Sequence, residues 1–144
     1  MEAERKRRRS EVFRDAHREL LQLVDAMSSR LKSAELERDP SEVRALLSML
    51  AGKLTIHLAM EDQGLYPRLA AHRSQPVREI AERFAQEMGG ILAVFRDYMA
   101  RWSTTDAIQA DVAGFMHDTN QIFHALRSRI AKEDIELFPK LDEL

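Results

Sequence analysis

Apolar residues recur every three or four positions in four long segments of the chain, at about residues 10–32, 41–66, 76–102 and 111–138. This spacing places apolar side chains along one face of a helix, and no segment shows the alternation that is typical of a β-strand. We therefore predict four amphipathic helices, the first with Ser10 as its N-cap. Short links between four such helices favour an all-α fold, an antiparallel up-down-up-down four-helix bundle.

Proline and glycine disturb this pattern in two places. Pro67 lies late in the second helix and should kink or end it, because proline has no N–H to donate. Gly89 and Gly90 lie in the middle of the third helix, where each costs roughly 1 kcal/mol in helix propensity. We expect this cost to reflect the close approach of a neighbouring helix.

The length and composition indicate one folded domain. With 144 residues the chain can bury a core without cross-links, and we assign residues 10–144 to a single bundle. Residues 1–9 form a basic leader, with five consecutive Lys or Arg residues at 5–9, and we expect this leader to be flexible. A homodimer is compatible with such a domain.

Charge and cysteine content narrow the function classes. The formal net charge of −2 gives the domain no electrostatic basis for binding nucleic acid. No apolar run approaches the roughly 20 residues that span a bilayer, so no membrane partner is expected. The chain has no cysteine, which excludes disulfides, thiolate metal sites and a cysteine nucleophile, and which suits a cytoplasmic protein.

A thirteen-residue pattern occurs twice, 72 positions apart. Residues 57–69 read HLAMEDQGLYPRL and residues 129–141 read RIAKEDIELFPKL, with six identical positions. His57 lies one helical turn before Glu61, so the two share a face of the second helix. In the second copy Arg129 takes the position of the histidine, one turn before Glu133. A site built from both copies would keep two carboxylates and replace an imidazole by a fixed cation.

Helical phase indicates which polar side chains point into the bundle. Each residue advances about 100° around a helix, which places His57, Glu61, Arg129 and Glu133 on apolar faces, together with His17 of the first helix. Buried carboxylates are costly unless they are paired or bind a metal. We therefore predict that His17, His57, Glu61 and Glu133 are metal ligands.

The remaining candidates lie elsewhere on the helices. His117 and His124 share a face opposite the apolar one and should be exposed, and His72 follows Pro67 in a loop. Asp62 and Asp134 lie about 100° beyond the two glutamates and are expected at the rim, with Asp134 as a weaker alternative ligand.

These motifs resemble those of the hemerythrin family, in particular bacterial domains of the HHE cation-binding type. The resemblance covers residues 10–141. It is carried by His17, by His57 and Glu61 followed by Leu65-Tyr66-Pro67, and by Glu133 followed by Leu137-Phe138-Pro139. It implies a helical bundle around a di-iron centre, in which two carboxylates bridge the irons and five histidines complete the ligand set.

The chain departs from that pattern at the second iron. Met88 stands at the expected third-helix ligand position as an apolar replacement, and Arg129 stands at the fourth-helix position. The resemblance therefore implies a depleted site that holds at most one divalent ion. Iron is the first expectation for that ion, with manganese or zinc as alternatives.

Arg129 allows two interpretations. It can pair with Glu61 and Glu133 while one divalent ion remains bound, although its charge would weaken the binding of that ion by several kcal/mol. Alternatively the site holds no metal, and Arg129 with a protonated histidine balances both carboxylates as a buried ion-pair network.

These interpretations lead to different functions. The first predicts a non-enzymatic cation-binding or sensing protein, whose partners are a metal ion or a small diatomic ligand. Because reversible oxygen binding in the di-iron relatives needs two irons, it is not expected here. The second predicts a metal-free regulatory or protein-interaction module. A single-metal oxidase with an open coordination position is a third, weaker alternative, because no polar substrate pocket is evident.

Overall fold

The computed structural model describes residues 8–144, and every regular element in that range is helical. Seven residues of the basic leader lie outside the described part, whereas Arg8 and Arg9 are exposed. The α-helices in chain order are α1 (Glu11–Ser28), α2 (Ser33–Arg38), α3 (Ser41–Met60), α4 (Tyr66–Ala70), α5 (Gln75–Met88), α6 (Ile91–Arg101), α7 (Thr105–Ala110), α8 (Val112–Lys132) and α9 (Phe138–Asp142). The predicted all-α class is confirmed.

The long helices enclose a common core. Helix α1 packs on α3, α3 on α6, α6 on α8, and α8 back on α1, while α4 packs on α5. One part of the core is rich in leucine and phenylalanine, including Leu20, Leu47, Phe95 and Phe115. A second part, which includes Leu69, Phe84 and Phe138, lies at the end formed by α4, α5 and α9. Glu61 and Glu133, directly after α3 and α8, fall along the chain between residues of these two parts.

Each copy of the repeated sequence contains a five-residue π-helical segment. Glu61–Leu65 joins α3 to α4, and Glu133–Leu137 joins α8 to α9. In the first of them the Tyr66 N–H donates to the carbonyl of Glu61, five residues back. Such wide turns are rare and recur at functional sites. Because the wide turn directly precedes Pro67, which has no N–H, the helix does not end at Pro67 but continues to Ala70.

The third predicted helix is broken at the two glycines. Helix α5 ends at Met88, Gly89 and Gly90 form a turn, and α6 begins at Ile91. The expectation of one continuous helix is therefore wrong. A Cβ added to Gly89 would clash with the carbonyl oxygen of Ala85, so the tightest constraint comes from the preceding turn rather than from a neighbouring helix.

Two aspartates fix the ends of helices. Asp111 caps α8, because its side chain accepts a hydrogen bond from the N–H of Gly114. Ser10 is the N-cap residue of α1, as predicted, but its side chain makes no capping hydrogen bond. Instead the buried Ser10 hydroxyl donates to Asp142 at 2.8 Å, which ties the start of α1 to the end of α9.

The helical stretch Ser41–Ala70 carries apolar residues on its exposed side as well as on the side that faces the core. By length and composition alone it could cross a membrane, and 33% of its most apolar window is buried. Met49, Ile56 and Met60 are exposed along it. A core helix passes the same test, so the expectation that the chain has no membrane partner stays a prediction.

The two glycines of the α5–α6 turn should differ in their tolerance of a side chain. We expect Gly89→Ala to lower the free energy of unfolding by about 1–3 kcal/mol, because its methyl group would displace backbone. Gly90→Ala is the matched control, since a Cβ there meets nothing within 4 Å. It should be neutral or slightly stabilising. Urea denaturation of both variants tests this, and equal stabilities would contradict the account of the turn.

Candidate metal centre

Two α-helices and the two π segments bring the four predicted ligands together in the interior. His17 comes from α1 and His57 from the last turn of α3, while Glu61 and Glu133 open the two π segments. The exposed fractions are 1% for His17, 6% for His57 and 0% for both glutamates. All four side chains therefore point into the interior, as expected from helical phase.

The ligand atoms of these residues converge on one point. One atom of each of the four side chains lies within 4.8 Å of all the others. Nε2 of His17 is 3.1 Å from Glu133 Oε1 and 3.8 Å from Glu61 Oε2, and Nε2 of His57 is 3.0 Å from Glu61 Oε1. These residues form a buried group that could bind a metal ion.

Among the described residues, four atoms of this group make no hydrogen bond. They are Nε2 of His17, Nε2 of His57, Oε2 of Glu61 and Oε1 of Glu133, all buried. A buried polar atom without a partner costs about 1–3 kcal/mol, so four in one place are unusual. Two imidazole nitrogens and two carboxylate oxygens are suitable ligands for a divalent transition metal. The donor set therefore fits a metal ion.

Arg129 occupies the other side of the two glutamates and is fully buried. Its Nη2 donates to Asp62 at 2.8 Å and to Glu61 at 3.3 Å, and its Nε donates to Glu133 at 3.4 Å. The predicted pairing of this guanidinium with both glutamates is what the structure contains. Arg129 is thus a fixed cation beside the candidate ligand group.

Met88 contributes to the site through its backbone. Its side chain is buried, as expected of an apolar replacement, and its carbonyl accepts a hydrogen bond from Nη1 of Arg129 at 3.1 Å. Since α5 ends at Met88, this carbonyl lies at a helix terminus, where backbone acceptors are left without helical partners. The break at Gly89 therefore leaves this carbonyl free to bind Arg129. This backbone contact could not be predicted from the sequence.

Tyr66 is a site residue that the sequence reasoning missed. Its buried hydroxyl donates to Oε2 of Glu133, and its ring lies 5.2 Å below the guanidinium of Arg129. A signal was present in the repeat, where Tyr66 aligns with Phe138. Aromatic residues at both positions indicate two inward rings, and only the first has a hydroxyl that needs a partner.

The two sequence repeats form equivalent surroundings for two cations. We call Glu61, Asp62 and Tyr66 the first cradle; these side chains contact Arg129. The second cradle, Glu133, Asp134 and Phe138, surrounds His17. Glu133 lies 3.1 Å from Nε2 of His17, and Asp134 lies 2.8 Å from its Nδ1. The ring centre of Phe138 is 5.1 Å from that of the imidazole.

The remaining histidines and the two aspartates lie outside the group of four candidate ligands. His117 and His124 are exposed, as expected, and His72 accepts a hydrogen bond from the N–H of Ser74 in the turn after α4. Asp62 and Asp134 lie at the rim, with 19% and 33% of their side chains exposed. Asp134 contacts Nδ1 of His17, the ring nitrogen other than the one in the converging group, so it does not join the candidate ligands.

Comparison with protein families gives a match to the hemerythrin HHE cation-binding domain over residues 8–141. The chain belongs to the hemerythrin family. No curated protein and no solved structure matches it significantly. The family match and the buried His/Glu group agree on a cation-binding domain, with the identity of the cation unspecified.

The buried carboxylates of this hemerythrin domain shift the pKa values of their neighbours and of each other. Burial opposes the charged form of His17, but Glu133 and Glu61 outweigh it and raise the pKa of His17 to about 10. Burial likewise opposes ionisation of Glu61, yet His17 and His57 hold its pKa below the ordinary value. Burial, reinforced by the charge of Glu61, raises the pKa of Glu133. Neighbouring carboxylates thus compete for positive charge inside the domain.

Arg129 is expected to be required for stability when no metal is bound. Replacing it by leucine would leave Glu61 and Glu133 without their fixed cation, so Arg129→Leu should lower the free energy of unfolding by about 3–5 kcal/mol. The measurement is urea denaturation of both proteins after removal of metal by a chelator.

Arg127 is the matched control, because it lies on the same helix but is exposed and pairs with Asp25 at the surface. Arg127→Leu should change the free energy of unfolding by no more than about 0.5 kcal/mol. An Arg129→Leu protein as stable as the parent would contradict the role given to the buried guanidinium.

Proposed function

We propose that this hemerythrin-family protein binds one divalent metal ion through His17, His57, Glu61 and Glu133, and acts as a cation-binding or sensing protein. The observation that carries this proposal is the convergence of four buried ligand atoms that make no hydrogen bond within residues 8–144. The cyclic packing of the long helices supports the up-down-up-down bundle that we propose for the fold.

Stoichiometry follows from the position of Arg129. Its guanidinium contacts both glutamates, so it takes up carboxylate oxygens that a second ion would need. Met88 supplies no imidazole from α5. We therefore propose a mononuclear site, with iron as the first expectation and manganese or zinc as alternatives.

Charge balance permits an ion despite the arginine. Four carboxylates, Glu61, Asp62, Glu133 and Asp134, lie around the candidate site. Arg129 contacts the first three, and Arg14 lies 4.0 Å from Asp134. A bound divalent ion would supply positive charge and, if redox-active, a coordination position for a small ligand. His17, His57, Glu61 and Glu133 would hold such an ion.

The role that we propose is not enzymatic. The buried group contains metal-ligand side chains and one tyrosine hydroxyl bonded to Glu133, with no serine or cysteine nucleophile among them. The absence of cysteine fits a reducing environment, and we retain the cytoplasm as the proposed location.

Metal titration tests this function. We expect zinc, which is redox-silent, to bind with a stoichiometry of one per chain, and we expect His17→Ala and His57→Ala to abolish binding. His124→Ala is the control, because His124 is exposed on α8, and it should bind like the parent. Isothermal titration calorimetry gives all four results. Full affinity in both ligand variants would contradict the proposal.

The buried ion pairs favour one alternative, a metal-free regulatory or interaction module. Arg129 already makes hydrogen bonds to Glu61, Asp62 and Glu133, which balances much of the buried charge. Exposed Met49, Ile56 and Met60 on one helical stretch are compatible with a partner, including a second copy of the chain. In this alternative a chelator leaves the melting temperature of the purified protein unchanged.

A further inference from the structure

Asp134 holds the ring nitrogen of His17 that lies outside the ligand group. Its Oδ1 is 2.8 Å from Nδ1, and the same oxygen is 4.0 Å from the guanidinium of Arg14. Asp134 itself is the second residue of a π segment, directly after Glu133. The backbone that places one candidate ligand therefore also places a carboxylate behind another.

The chemistry of the two groups fixes the direction of this bond. An ionised carboxylate can only accept, so Nδ1 of His17 must carry the hydrogen. In a neutral imidazole the lone pair then lies on Nε2, which faces Glu133 at 3.1 Å. The ring of Phe138 stacks on the imidazole, with ring centres 5.1 Å apart and planes inclined by 27°. Bond and stacking together restrict the rotation of the ring.

We propose that Asp134 is a positioning residue, which fixes the tautomer and orientation of His17 and so raises the affinity of the site for a divalent ion. This effect on affinity rests on the metal-binding function proposed above, whereas the effect on the histidine does not. Partners of this kind commonly hold the distal nitrogen of a metal-ligating histidine, and their loss weakens metal binding roughly 10- to 100-fold.

His57 has no equivalent partner. Within residues 8–144, no side chain or backbone group makes a hydrogen bond to its Nδ1. The ring instead lines a cavity of about 250 Å³ between α1 and α3, whose walls include Phe13 and Ile56. The two histidine ligands therefore differ, because one is held by a carboxylate and the other borders a mostly apolar cavity.

The sequence repeat supplies a matched control. Asp62 occupies the position of Asp134 in the first copy, carries the same charge and lies beside Glu61, but it contacts Arg129 instead of a histidine. Removing either aspartate deletes one negative charge next to the site. An effect of charge alone would appear in both variants, and an effect through His17 would appear only when Asp134 is removed.

Zinc affinity of four proteins tests the effect on the site. We expect Asp134→Ala to bind zinc at least tenfold more weakly than Asp62→Ala, measured by competition with a chromogenic chelator. Asp134→Asn retains an acceptor for Nδ1 and should recover most of the lost affinity relative to Asp134→Ala. Equal losses in Asp134→Ala and Asp62→Ala, or an Asp134→Ala protein with the affinity of the parent, would overturn the proposal.

Nitrogen-15 NMR of the metal-free protein tests the histidine itself. The parent and Asp62→Ala should show a slowly exchanging Nδ1 proton on His17, identified by its absence in His17→Ala, and Asp134→Ala should lose that protection. A proton equally protected in Asp134→Ala would overturn the positioning role. If the parent binds no zinc, the metal-binding function fails, and this spectrum alone then decides whether Asp134 positions His17.

Discussion

Two carboxylates face each other inside an apolar interior, and the rest of the site follows from the need to balance their charge. Glu61 and Glu133 are completely buried, and their oxygens lie within 4.8 Å of each other in the ligand group. Neither is tolerable there without positive charge. Arg129 supplies part of that charge, and the imidazole and carboxylate atoms that make no hydrogen bond within residues 8–144 provide a place for a second cation.

The repeated sequence explains how the chain builds this arrangement. Each copy places a glutamate, an aspartate and an aromatic ring on a π segment, and each set surrounds one cationic side chain, Arg129 in the first cradle and His17 in the second. The two side chains differ in one respect. The guanidinium of Arg129 is always charged, whereas the imidazole of His17 can lose a proton and can then bind a metal ion.

Helical phase alone predicted the inward positions of His57 and Glu61, because burial on a helix follows from spacing along the sequence. The fold class and the pairing of Arg129 with the glutamates could be predicted in the same way. The carbonyl of Met88 could not, since a backbone acceptor carries no side-chain signal. The hydroxyl of Tyr66 was missed because a π segment shifts the residues that follow it, and a regular helical projection contains no such shift.

The most direct measurement of the central claim is native mass spectrometry of the full chain, purified without chelators and compared with the same protein after denaturation. The account predicts one divalent ion per folded chain, which is released on unfolding. A folded chain that carries two ions, or none after incubation with iron, manganese and zinc in turn, would contradict it.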